Sequence, residues 1–372
     1  MERGCLLIIF LLCFTLVAEP GYMSSKGFTG KLSSGERNFH GISLSNVEFS
    51  GMKFHNLNLT GAKFNTVKFI NCTFVNCILS YSSFESSQIK NSTFYFCEIE
   101  SALFKDSLIS DSLFSNTMMM NMRFIGGKLV KIIFQQVDLS GSMYNEADAS
   151  KISFNKNIMK NACFEKSYLR NCDFSYSDIT NGRFINSDFS GTIFKRSNLR
   201  SAVFLKNIIS QGDFSNAYLP GSAFYESDLS GAVFNGAYMP GVIFGQNIMP
   251  GLEAADAFIV FGEFVNTDAG KSTFRNAKFS GSYFINTDLR NSDFTGADFS
   301  YMDYGSDHFY EYRDLGVKMN DEKIEIIRNR GVKIESVLFE GSDFSNARFD
   351  RDYEEKIVDW KILNSELIIW QD

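Results

Sequence analysis

Large apolar residues recur at every fifth position from Phe39 to Tyr304 without an insertion. The series begins Phe39, Leu44, Phe49, Phe54, Leu59, Phe64 and ends Phe294, Phe299, Tyr304. All 54 of its positions are apolar or Tyr, the smallest being Ala149, Ala254 and Ala269. A helical stripe repeats near 3.6 residues and a strand near 2, so a period of five fits neither. It fits a chain that turns a corner every five residues and points one large side chain inward each time. The expected fold is therefore an all-β solenoid of short stacked strands.

The neighbouring positions agree. Two residues before each centre the side chain is mostly small, as at Ala62, Cys72, Ser82, Ser92, Ala162 and Ala232. A second inward residue near a crowded axis has to be small to keep native packing density. Two residues after the centre, Gly or Asn fills 29 of 53 positions from Gly41 to Tyr301. These residues tolerate the positive φ that a tight corner requires. The residues flanking each centre are polar and variable, as expected of an outer face.

A ten-residue alternation is superimposed. From Phe64 to Phe244 the centres mostly alternate between Phe and an aliphatic residue, with departures such as Tyr144 and Phe189. Such an alternation on a five-residue unit implies an even number of sides. Four sides give a coil of 20 residues and two Phe ladders on opposite walls. Phe64, Phe84, Phe104 and Phe124 form one ladder, and Phe74, Phe94, Phe114 and Phe134 the other. About thirteen coils at ~4.8 Å per rung make a rod roughly 65 Å long.

Segments such as Ser292-Asp293-Phe294-Thr295-Gly296 and Ser227-Asp228-Leu229-Ser230-Gly231 combine a small residue, Asp, a large centre and two variable residues. In this the chain resembles the pentapeptide-repeat family. The resemblance implies a right-handed quadrilateral β-helix and covers most of the chain. The organisation expected is a leader over 1–22, an N-terminal cap over 23–38 and the β-helix over 39–304. An insertion with a short helix follows over 305–333, then a final coil over 334–350 and a C-terminal cap over 351–372. The helix is expected through Ile324, Ile326, Ile327 and Arg330, with Gly331 just past its end.

The apolar run from Cys5 to Ala18 is short for a membrane span and suits a signal peptide. An uncleaved anchor and a true start at Met23 are the other readings, and membrane contact is expected only through this segment if it stays uncleaved. A secreted or periplasmic location is expected, with translocation into a host as one route and the cytoplasm as the alternative.

Residues 301–372 carry 17 acidic and 10 basic residues, which is the whole net charge of −7. The body is neutral, which argues against a nucleic-acid partner. Chemistry is hard to find. His40, His55 and His308 do not cluster, and no cysteine spacing matches a zinc site. Cys72, Cys77, Cys97 and Cys172 fall at the small inward position, with Cys77 and Cys97 one coil apart and open to a disulfide. Cys163 points outward. No catalytic residue, cofactor, metal or small-molecule substrate is expected.

The apolar residues of the tail should bury as a cap over the last coil. Their sharper use is as a docking segment for an unknown protein partner, with Trp360, Trp370, Ile368 and Ile369 as the candidates. The expected function is a non-enzymatic interaction or structural scaffold, similar to bacterial secreted effectors that carry such repeats. The alternatives are a DNA-mimicking protein that engages gyrase and a passive structural protein of the envelope.

Overall fold

The computed structural model describes residues 21–300, 333–357 and 360–371. Each five-residue unit forms one side of a square coil, and coils stack in parallel with a 20-residue register. Phe64 thus pairs with Phe84, and Phe104 with Phe124. We name the four walls after the centres Phe64, Phe69, Phe74 and Leu79. The Phe64 wall is a parallel sheet of 14 strands, from Ser43–Ser45 to Lys333–Glu335. The Phe69 and Phe74 walls begin as five-stranded sheets and continue as single bridges, and the Leu79 wall is made of such bridges up to Asp298 and ends in the parallel pair Arg348–Asp350 and Ile369–Gln371.

Both expected ladders are present. Ring centroids are 4.7 Å apart between Phe64 and Phe84 and again between Phe84 and Phe104. On the opposite wall they are 4.5 Å apart between Phe74 and Phe94. Every corner from Gly41 to Gly296 has positive φ, whatever residue occupies it. The backbone path is set by the coil, and Gly or Asn only lowers its cost.

The small inward position also has a polar task. The Ser87 hydroxyl accepts from Val67 N–H at 3.0 Å and donates to Phe64 C=O at 3.1 Å. Ser107, Ser167 and Asn207 repeat the pattern one or more coils on. Corner amides buried near the axis are thereby paired, as buried backbone groups must be.

The small centres Ala149 and Ala254 suggest bends or small bulges, but the register runs through both. Asp148 bridges Lys128 and Tyr168, and Glu253 bridges Val233 and Thr273. Backbone bonds fix the stacking, so a small centre removes side-chain volume without shifting a rung.

The N-terminal end is closed by a helix, Ser25–Ser33, whose Ser24 cap accepts from Gly27 N–H at 3.1 Å. Its Phe28 is buried against Phe39 and Phe49, at centroid distances of 4.6 and 5.4 Å. At the other end the register jumps from 20 to 50 residues, and the final pair, Arg348 with Ile369, is 21 apart. Ile334 lies over Phe284, and Leu338 and Arg348 lie over Asp288 and Asp298. The expected leader, Tyr304, His308 and the expected helix near Ile324 fall outside the described residues.

Among the described residues the core contains unsatisfied hydroxyls, those of Ser82 and Tyr144 among them. Tyr144 is fully buried, stacked on Phe164 at 4.7 Å, and its hydroxyl has no hydrogen-bond partner. An unpaired buried hydroxyl costs about 1–3 kcal/mol. Tyr144→Phe is expected to raise the melting temperature, and a fall would show that the hydroxyl is satisfied.

Candidate functional site on the outer walls

The groups that suggested chemistry are explained by structure. Outward Asp residues bond their own backbone two residues on. Asp213 accepts from Ser215 N–H at 3.0 Å and from its hydroxyl at 2.6 Å, and pairs with Lys195 at 2.9 Å. Asp188 and Asp343 use Ser190 and Ser345 the same way. Partial burial opposes ionisation of Asp213, but the Ser215 bonds and Lys195 outweigh it and hold its carboxyl below the usual range. Asp188 and Asp343 are lowered against burial likewise. A carboxyl lowered in the folded state stabilises above the unfolded pKa and loses that contribution as pH falls through the folded value. The melting temperature should therefore be flat above about pH 5 and fall below about pH 4, near the free carboxyl range. A melt series across that range checks it.

His40 and His55 are exposed near the N-terminal end. Cys72, Cys77, Cys97 and Cys172 are buried free thiols, and burial pushes Cys172 up to about 12. Half-buried Cys163 is also raised, by burial, against the pull of Arg183. Among the described residues no three metal-ligating side chains come together, and no helix is long and apolar enough to cross a membrane.

The four tail candidates separate. Trp360 packs on Phe339 at 4.7 Å and on Phe349 at 5.9 Å, and Trp370 lies 6.4 Å from Phe349. Ile368 is buried, and Ile369 is turned outward. Three of the four thus cover the end of the core.

The stronger concentration of outward apolar side chains lies on the rod, where the five-residue reading expects polar variety. On the Leu79 wall, Tyr218, Tyr238 and Phe258 form an outer column, with centroids 5.4 and 4.9 Å apart and rings nearly parallel. Pro220, Pro240 and Val260 lie beside them, one per coil. Around the corner, the outer face of the Phe64 wall carries Ile185, Val203, Leu205, Tyr225, Ile243 and Val265. Gly245 opens a shallow cleft of about 350 Å³ there, across which the Tyr225 ring leans. The signal was available in the sequence, because Tyr218, Tyr238 and Phe258 are 20 residues apart. It appears only when outward positions are read at the coil period.

A stacked outer column stabilises the sheet by itself, roughly 0.2–1 kcal/mol per pair. It also presents rigid aromatic groups with polar tips, the kind enriched where proteins bind each other.

A family model described as a pentapeptide repeat region matches residues 67–144. A second, described as pentapeptide repeats (8 copies), matches 38–69, 132–171, 167–204, 213–246 and 263–303. None of the curated proteins matches the chain. Solved structures are similar at low identity. QnrB1, a plasmid-mediated fluoroquinolone resistance protein, is 18% identical, over 58% of this chain and 95% of that one, with a TM-score of 0.27. HetL, a pentapeptide repeat protein involved in heterocyst differentiation regulation in the cyanobacterium Nostoc, is 13% identical. That match covers 74% of this chain and 96% of HetL, with a TM-score of 0.23. A PL6 alginate lyase in complex with a trisaccharide is 7% identical, over 94% and 88% of the two chains, with a TM-score of 0.31. Overlays this loose carry no functional argument.

Proposed function

The chain belongs to the pentapeptide-repeat family, and on that footing we propose that it is a non-enzymatic scaffold that holds a protein partner against its Leu79 wall. One observation carries this reading: the outer column Tyr218, Tyr238 and Phe258, flanked by Pro220 and Pro240. Elsewhere the same column is mixed, with Asn58, Glu98, Asp138 and Asp178 among its members. A rigid rod loses little conformational entropy on binding, and its aromatic anchors are already in place.

Quantitative capture of partners by wild type, Tyr218→Ser and Tyr238→Ser tests the reading. A partner retained by wild type should be lost at least tenfold by either variant, with the melting temperature changed by only a few degrees. A partner that binds all three equally sinks the assignment of this column. We propose further that the apolar run Cys5–Ala18 directs the chain out of the cytoplasm. Mass spectrometry of the mature N-terminus checks that route, and an intact Met1 in a cytoplasmic fraction rejects it.

A further inference from the structure

We infer that the outer side of the Phe74 and Leu79 walls over four coils, between Thr73 and Gly141, docks a basic amphipathic segment of a protein partner.

This surface is apolar where the repeat expects polar variety. Ile78 and Met118 are 36% and 42% exposed on the Leu79 wall. The corners on either side of that wall hold bulky aromatic residues, Phe96 at 61% exposed and Tyr81 at 68%. Both sit at positive φ, 53° and 61°, where Gly or Asn is the usual occupant. A bulky side chain in left-handed backbone is a costly choice, and here the fold gains no burial from it. Among the described residues neither ring touches another aromatic ring, unlike the self-stacked Tyr218 column.

The same surface carries one sign of charge. Residues 73–81, 93–101, 113–121 and 133–141 build it, and they contain no Lys or Arg and three acids, Glu98, Glu100 and Asp138. Lys53 lies on the rung below, and Lys156 and Lys160 on the rung above. Glu98 stands between Ile78 and Met118 in one column, with Glu100 beside it on the same rung. Lys105, around one corner, is held by Glu85 at 2.7 Å, and Lys131, at the far corner, pairs with Asp111 at 3.9 Å. Neither Glu98 nor Glu100 has a cationic partner among the described residues.

Charge selects the occupant. Anionic lipid, nucleic acid and acidic polysaccharide are repelled from such a surface. A second copy docked about a twofold axis would set Glu98 and Glu100 against themselves. Size points the same way. Four rungs at ~4.8 Å give about 19 Å of length, and two walls of three residues about 20 Å of width, or roughly 400 Å². A stable dimer buries about 800 Å² per partner. A helix of about 13 residues spans the same 19 Å. With one apolar face and Lys or Arg at its margins, it covers Phe96, Ile78 and Met118 and pairs both glutamates. Six rungs, about 29 Å, separate Glu98 from Tyr218, so this surface and the Tyr218 column stand or fall independently.

The full chain tests the inference by fluorescence anisotropy against a labelled helical peptide of about 18 residues, with Leu on one face and Lys at its margins. The same peptide with Glu for Lys is the control. Wild type should bind the Lys peptide, with affinity falling as salt rises, and should not bind the Glu peptide. Phe96→Ala, and separately Glu98→Gln with Glu100→Gln, should each weaken binding at least fivefold. Glu146→Gln with Glu226→Gln removes the same charge elsewhere on the rod and should match wild type, as should Tyr218→Ser. No binding of the Lys peptide, equal binding by wild type and both surface variants, or equal binding of the Glu peptide overturns the assignment. Self-association in sedimentation velocity that Phe96→Ala abolishes would give the surface to a second copy and overturn it as well.

Discussion

Phe204→Ala should destabilise the rod by roughly 3–5 kcal/mol, the usual cost of deleting a fully buried aromatic ring. Phe204 is 0% exposed and sits at the meeting of both ladders. Its ring stacks on Phe184 at 4.3 Å and Phe224 at 4.6 Å, and meets Phe194 and Phe214 edge-on at 5.9 and 5.8 Å. The cavity would be bounded by four rings that are held by their own stacks, so it cannot collapse. A control separates core packing from aromatic content. Phe96 is also an aromatic, but it stands 61% exposed at a corner with positive φ. Phe96→Ala should stay within about 0.5 kcal/mol of wild type. Because coils contact only their neighbours, the damage should also be local. Amide exchange should quicken mainly between the coils of Phe184 and Phe224. An equal loss from both substitutions would show that the ladder is not the main source of stability.

The ladders were legible because an inward position is defined by one number, the five-residue period, and the ten-residue alternation then selects four walls. Phe84 and Phe94 could be assigned to opposite walls from spacing alone. Outward residues were harder to read. Tyr218, Ile158 and Asp178 belong to one column only after the chain is wound at 20 residues per coil, and at five residues the column looks merely mixed. The ends were partly legible. The tail's apolar residues announce a cap, but nothing local in Ser24–Ser33 shows that Phe28 turns onto Phe39. The register jump is hidden for a different reason. Tyr304 keeps the five-residue beat, yet Ile334 takes the place over Phe284, so a sequence can continue the period past the point where the coil closes differently.

The inward position shows most clearly where a size argument stops short, and Asn207 gives the sharpest test. By the density argument alone, any residue that fits is acceptable there. The structure adds a hydrogen-bond requirement. Asn207 is 2% exposed, accepts from Ser187 N–H at 2.9 Å and donates to Phe184 C=O at 2.8 Å. Asn207→Leu keeps nearly the same volume but strands both groups. Each unpaired buried group costs about 1–3 kcal/mol, so a total loss of roughly 2–6 kcal/mol is expected. Asn207→Ser should cost far less, because Ser187 and Ser227 sit one coil away in the same column and Ser167 makes the same two bonds. The predicted order of melting temperatures is wild type, then Ser slightly below it, then Leu far below. The Leu variant should also release the Ser187 amide to fast exchange. If Leu instead matched wild type, the column would be selected for size after all. The Ser and Asn rungs along the axis would then be incidental to the stacking of coils.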